Sequence, residues 1–232
     1  MSIHQNSSIV VIACAVFQHL LEGLMPHELT NQITFLDYGL HLIPLKLKKS
    51  IQDAIDSIEE PSLIILGYGL CGNGLDGIRA NKHTIIVPRA DDCIAILLGS
   101  YKQYREEFSE NPGTYYLTKG WLESGSDPLK EYQDLLKRYD RGTADWIMDQ
   151  QYRNYRRIAL VAHSVEDLEK YRPRALEVAK YCEQWGMQYE EILGSDSYLK
   201  MLVKTIESLN EPQEEIIVVP PGGKIEQNQF LR

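Results

Sequence analysis

Through the first hundred residues, short apolar runs bounded by turn residues alternate with apolar positions at helical spacing. Residues 8–13 (SIVVIA) are a β-branched run without polar alternation, the pattern of a strand buried on both faces. Phe17, Leu20, Leu21 and Leu24 follow at helical spacing, and Pro26 breaks the pattern. Residues 33–36 predict a second strand, followed by a turn at Tyr38-Gly39-Leu40-His41. Pro44 suits a first helical turn, after which Leu45, Leu47, Ile51, Ile55 and Ile58 share one face until Pro61. Residues 62–66 and 84–87 predict two further strands. Asp91 or Asp92 then caps a helix carrying Ile94, Ile96, Leu97 and Leu98. The order β-α-β-α-β-loop-β-α points to a doubly wound, mostly parallel, Rossmann-like α/β sheet.

Residues 111–156 differ. A turn at Asn111-Pro112-Gly113 and a short strand at 114–117 lead, through Gly120-Trp121, to amphipathic helices over about 128–139 and 143–155. Alternation then returns: strands at 157–162, 187–193 and 215–219, helices over about 166–185 and 196–209. This divides the chain into an α/β half at 1–110, a mainly helical connection at 111–156 and an α/β half at 157–232. Two questions stay open at this level. The second set of strands extends the first sheet or forms its own lobe, and the tyrosine-rich 128–156 helices serve as a lid, an interdomain bridge or a homodimer surface.

Composition narrows the function classes. With 44% hydrophobic and 25% charged residues, the 232-residue chain has globular rather than disordered character. Its net charge of −9 argues against nucleic-acid binding. No apolar run approaches the roughly 18–20 residues of a membrane span. No basic, then apolar, then small-residue leader is recognisable, so the expected location is the cytoplasm. Four cysteines without a Cys-x-x-Cys exclude a disulfide scaffold and a zinc ribbon.

The placement of those cysteines against the expected strands carries the chemistry. Ligands of open parallel sheets bind beyond the carboxyl ends of the strands. Cys14 directly follows the first strand. Cys71 lies in Gly67-Tyr68-Gly69-Leu70-Cys71-Gly72-Asn73-Gly74, past the third. Cys93 ends Pro88-Arg89-Ala90-Asp91-Asp92-Cys93, past the fourth, and His41 occupies the comparable place after the second. Three thiols at one edge would suit zinc or an iron–sulfur cluster, leaving a position open to substrate, whereas His41 as a fourth ligand would close the site. Taken singly, each cysteine also reads as an ordinary buried thiol at a strand–helix junction. Cys182, in the middle of a predicted helix, reads as packing.

Around the thiols, Arg89 is a candidate substrate-binding group and Asp91 or Asp92 a candidate acid or base; the competing reading is a capped helix with a solvated arginine. Gly69, Gly72, Asn73 and Gly74 are candidates for close backbone approach to a bound group. Tyr68 and Trp121 read as pocket walls, and His163 and Pro221-Gly222-Gly223 as further contributors if both halves share a cleft. Gly67-x-Gly69-x-x-Gly72 also fits the dinucleotide fingerprint. It follows the third strand rather than the first, however, and the glycines after it disfavour the helix that would hold a pyrophosphate. A nucleotide-binding oxidoreductase is therefore the weakest of the readings.

These residues carry a resemblance. Ile12-Ala13-Cys14, Leu40-His41 with Pro44, the glycine–cysteine segment 67–74, Pro88–Cys93, Leu98-Gly99-Ser100 and the segment 113–121 (GTYYLTKGW) resemble a bacterial and archaeal family of unknown function, numbered sixteen thirty-eight. The resemblance implies that Cys14, Cys71 and Cys93 belong to the family pattern and Cys182 does not. It also implies an association with corrinoid-dependent methyl transfer, and hence a corrinoid or methyltransferase protein as a partner. The expectation is a metal-dependent transferase or lyase acting on a small molecule at a three-cysteine centre, through methyl-group or thiol chemistry. The alternative is a metal- or cofactor-delivery protein without turnover.

Overall fold

The structure is a computed structural model, and it describes residues 8–26, 32–205 and 214–232. Two compact units divide the chain. One comprises the described residues up to Tyr101 together with those of Asp196–Arg232, and the other is Lys102–Ser195.

The first unit holds a five-stranded sheet. Its strands are β1 (Ser8–Cys14), β2 (Ile33–Leu36), β3 (Ser62–Gly67), β4 (Thr84–Pro88) and, from the far end of the chain, Ile216–Val219. The order is β2-β1-β3-β4 followed by the late strand, the first four being parallel and the last antiparallel to β4. Every residue of β3 is buried, as its unbroken apolar run requires. Helices α1 (Gln18–Leu24) and α2 (Pro44–Asp56) follow β1 and β2, and α2 buries Leu47, Ile51 and Ile55 along one stripe. No helix stands between β3 and β4. After β4, Asp92 caps α3 (Cys93–Leu98), accepting hydrogen bonds from the Ile94 and Ala95 amides at 2.8 and 3.2 Å. Gly99, at φ 96°, ends α3 there and separates it from α4 (Tyr101–Glu110).

In the second unit, β5 (Thr114–Thr118), β6 (Arg157–Ala162) and β7 (Gln188–Leu193) form a parallel sheet in that order. Between β5 and β6 lie α5 (Lys119–Ser124), α6 (Pro128–Leu135) and α7 (Arg141–Tyr152); α8 (Val165–Cys182) links β6 to β7. Side chains of Thr118, Asp127, Asp140 and Ser164 cap these four helices. Cys182 is fully buried in this core, beside Val178 and Ala179. The mixed α/β, mostly parallel, Rossmann-like class is therefore the observed one.

The C-terminal strands do not stay together. β7 remains in the second sheet, while α9 (Ser197–Lys204) and β8 (Ile216–Val219) belong to the first unit. The expected extension of α9 to residue 209 falls outside the described residues. Because β8 runs against β4, Val219 pairs with Ile85 at the amino end of β4. Pro221-Gly222-Gly223 consequently lies at the edge opposite Cys93, with the Gly222 amide bonded to the Asn81 carbonyl at 2.7 Å.

Gly67 permits the closest strand approach: a Cβ there would stand 2.6 Å from the Ala13 Cβ. Gly67→Ala should lower unfolding stability by about 1–3 kcal/mol, measured by urea denaturation, because neither central strand can move aside.

Candidate functional site

At the carboxyl edge of the first sheet, β1 and β3 are neighbours whose following connections lead to opposite sides of the strand order. This is the switch point at which open α/β sheets bind ligands. Cys14 is the last residue of β1 and is buried. Ala13 pairs with Gly67, so Tyr68 leaves β3 beside Cys14. The chain then turns sharply: Cys71, Gly72 and Asn73 all adopt left-handed backbone, with φ 47°, 62° and 70°. For the two non-glycine residues this costs about 1–2 kcal/mol each. A seam to the next loop holds the turn. The Leu70 amide donates to the Ala90 carbonyl at 2.8 Å, and the Cys71 amide to the Asp91 carbonyl at 2.9 Å. Gly69 makes this seam sterically feasible, since a Cβ there would lie 2.7–2.8 Å from the Asp92 backbone.

The seam brings Cys71 and Cys93 into one electrostatic environment with Cys14. Burial pushes the Cys14 thiol up to about 11, the nearby Asp37 carboxylate adding to it and the Val16 amide opposing. Burial likewise raises Cys71 to about 12, with Asp92 and Cys14 adding to the effect and the amides of Gly69 and Cys93 opposing. Cys93 is raised well above its ordinary value by burial, then by Cys71, Asp92 and Cys14. The charged side chains acting on the three sulfurs are thus Asp37 and Asp92, both carboxylates. Tyr68 completes the group. It is 3% exposed, and its hydroxyl has no hydrogen-bond partner among the described residues. Burial raises it too, and Cys14, Cys71, Asp37 and Cys93 all add to the effect.

Other candidates sit elsewhere or have structural partners. His41 is exposed, with Nδ1 donating to the Tyr38 carbonyl of its own 3-10 turn. Asp91 is exposed; Asp92 caps α3. Arg89 turns toward the chain's end: its guanidinium donates to the Leu231 carbonyl, and its own amide to the Glu215 carbonyl at 2.7 Å. Gly69 and Gly74 make room for protein, the latter for the Leu47 side chain, while Gly72 and Asn73 are exposed. Trp121 and His163 belong to the Lys102–Ser195 unit. That unit has a polar cavity of about 380 Å³, lined in part by Arg156, Arg157 and Glu190. Its buried Arg157 is already neutralised by Glu107 and, at 2.7 Å, Glu190.

One contributor escaped the sequence reading. Asp37 is the first residue after β2, which the strand-edge rule favours over His41 four positions later. Tyr68 was legible as a wall, but the isolation of its hydroxyl depends on how the loops pack. Among the described residues, no set of three or more His, Cys, Asp or Glu side chains is positioned to hold a metal ion.

Residues 35–203 match the family described as "Protein of unknown function (DUF1638)", and the chain belongs to that family. No curated protein and no solved structure matches the chain.

Metal-free protein should alkylate slowly at these positions. A shift from 9.0 to about 11 leaves Cys14 with about 100-fold less thiolate at neutral pH than an ordinary cysteine. Mass spectrometry of iodoacetamide-treated native protein checks this, with urea-unfolded protein as the reference. Folding raises these values, so their contribution to stability is complete below pH 9 and is lost as the pH rises toward 11–12. The urea midpoint of metal-free protein should accordingly fall across that window.

Proposed function

We propose, taking membership of this family as the premise, that Cys14, Cys71 and Cys93 hold a thiophilic metal centre at which a small molecule is transformed by thiol or methyl-group chemistry. One observation carries the reading. Three thiols from separate loops after β1, β3 and β4, one buried and two half-buried, lie in an environment whose acting charged side chains are carboxylates, so the site favours a cation and disfavours three bare thiolates. The donor set fits a soft or borderline metal, zinc or an iron–sulfur cluster. The amides of Val16, Gly69 and Cys93 face sulfur and would stabilise thiolate ligands once metal replaces the protons. When bound, such a centre supplies a Lewis-acid position for substrate.

The residues have separate tasks in this reading. The three cysteines retain the centre, and the seam through Leu70 and Cys71 keeps two of them together. Asp92, by capping α3, fixes the backbone at Cys93. Cys182, buried in the other unit's core, takes no part.

Metal, acid-labile sulfide and visible absorption should be measured on protein purified without oxygen. About one zinc per chain without colour, or iron with stoichiometric sulfide and a brown colour, is the expected result and identifies the occupant. Loading should raise the thermal midpoint and release protons, while the Cys14→Ala, Cys71→Ala, Cys93→Ala variant should do neither. Metal-free protein in every preparation, with the triple variant equally stable, would sink the proposal. Metal that passes to an acceptor protein without any substrate being consumed would replace the enzyme with a delivery factor.

A further inference from the structure

We infer that residues 226–232 form a latch closed on Arg89, and that its opening is the local event that frees the Pro88–Cys93 loop, with Cys93 and the Arg89 guanidinium, for reaction or binding. The inference is independent of the metal reading, since it concerns only how this loop is held.

The latch has a fixed root. Ile225 is fully buried; its carbonyl accepts from the Gly77 amide at 2.7 Å and its amide donates to the Ile78 carbonyl at 2.8 Å. Beyond that root the chain satisfies itself. Glu226 and Gln229 cap one another across a 3-10 turn at Gln227–Phe230, the Glu226 amide donating to Gln229 Oε1 at 2.8 Å. Gln227 and Asn228 are exposed, and the Gln227 amide reaches outside the turn to Asp76 Oδ1 at 2.9 Å, a bond that water replaces at little cost. A segment that supplies its own caps can detach without orphaning buried backbone groups.

Its far end is held by two side chains. Phe230 is buried, and the Arg232 side chain is 11% exposed although Leu231 beside it is 67% exposed. The two terminal nitrogens of Arg232 grip the Glu215 carboxylate at 2.6 and 2.8 Å, and its guanidinium lies 4.0 Å from the Tyr101 ring centroid. One of these nitrogens also donates to the Arg89 carbonyl at 2.6 Å, and the Arg89 guanidinium donates in return to the Leu231 carbonyl. The grip bears on the seam, because Ala90 and Asp91, whose carbonyls receive the Leu70 and Cys71 amides, are the next two residues. Arg89 itself is poorly served when latched. Its Nε is buried without a partner among the described residues, and its guanidinium meets a neutral carbonyl while Arg232 takes the Glu215 carboxylate. The closed state is thus favoured by Arg232 and Phe230 and opposed at Arg89, a balance that one contact shifts.

Amide hydrogen exchange, read by mass spectrometry, and iodoacetamide labelling should be followed on native wild-type, Arg232→Ala and Glu215→Gln proteins. Both report the open population when reclosing outruns the chemistry. Loss of the charged pair should speed exchange over 226–231 and 89–93, and alkylation of Cys93, by about 10- to 100-fold. Exchange over β3, the buried centre of the same unit, should not change. The double variant should open no further than Arg232→Ala, since the two residues act as one contact. Unchanged rates in both variants overturn the inference. Faster exchange over 226–231 with Cys93 unaltered also overturns it, because the segment then frays without holding the loop. Equal acceleration over β3 does the same, by making Arg232 a contributor to global stability alone. If Arg232→Ala does not fold, Glu215→Gln decides on the same readouts.

Discussion

Two peptide hydrogen bonds, from Leu70 to Ala90 and from Cys71 to Asp91, carry the pairing of β3 with β4 beyond the strands and into their loops. The candidate site depends on this seam. Without it, a connection lacking a helix would be free to spread over the sheet edge, and Cys71 would have no fixed relation to Cys93. The seam requires a glycine at position 69, where any side chain would strike the Asp92 backbone. It also holds Cys71 and Asn73 in left-handed conformations that isolated residues disfavour. Local strain is here the counterpart of a non-local contact.

What the seam assembles is electrostatically one-sided. Removal from water, mutual repulsion and the carboxylates of Asp37 and Asp92 all keep the three thiols protonated, while nearby amides favour the thiolate. Ordinary buried cysteines, such as Cys182 among Val178 and Ala179, are raised mainly by burial. Cys182 feels Asp127 as well; Cys71 and Cys93 differ in that other cysteines of the trio add to the effect. A cation bound as proposed would offset the repulsion between the thiolates and their repulsion from the carboxylates.

Much of this was legible in the chain. β-branched runs at 8–13, 62–66 and 84–87 announce buried parallel strands, and each is followed by a cysteine. Less visible was the division of labour among the polar residues. His41 and Asp37 both follow β2, but the 3-10 turn that Asp37 caps carries His41 to the surface. Arg89 stands in the same motif as Cys93 and yet turns toward Glu215 and Leu231, since β8 adjoins β4 on that side. The glycines at 69 and 74 resemble a ligand cradle in sequence. In the fold they admit the Asp92 backbone and the Leu47 side chain.

Local rules determined by themselves the kind and order of the elements, the loops that end in cysteine and the α/β class. Each follows from periodicity and turn chemistry within a few neighbouring residues. Strand order, strand direction and unit membership were decided only in three dimensions. An apolar run such as Ile216–Val219 reads the same in either direction, so nothing local said that it would run against β4. Nor did anything local say that it would carry Pro221–Gly223 to the far edge. The Tyr68 hydroxyl, without a partner among the described residues, is of the same kind. Whether a buried polar atom has a partner depends on every segment packed around it, and those segments are distant in sequence.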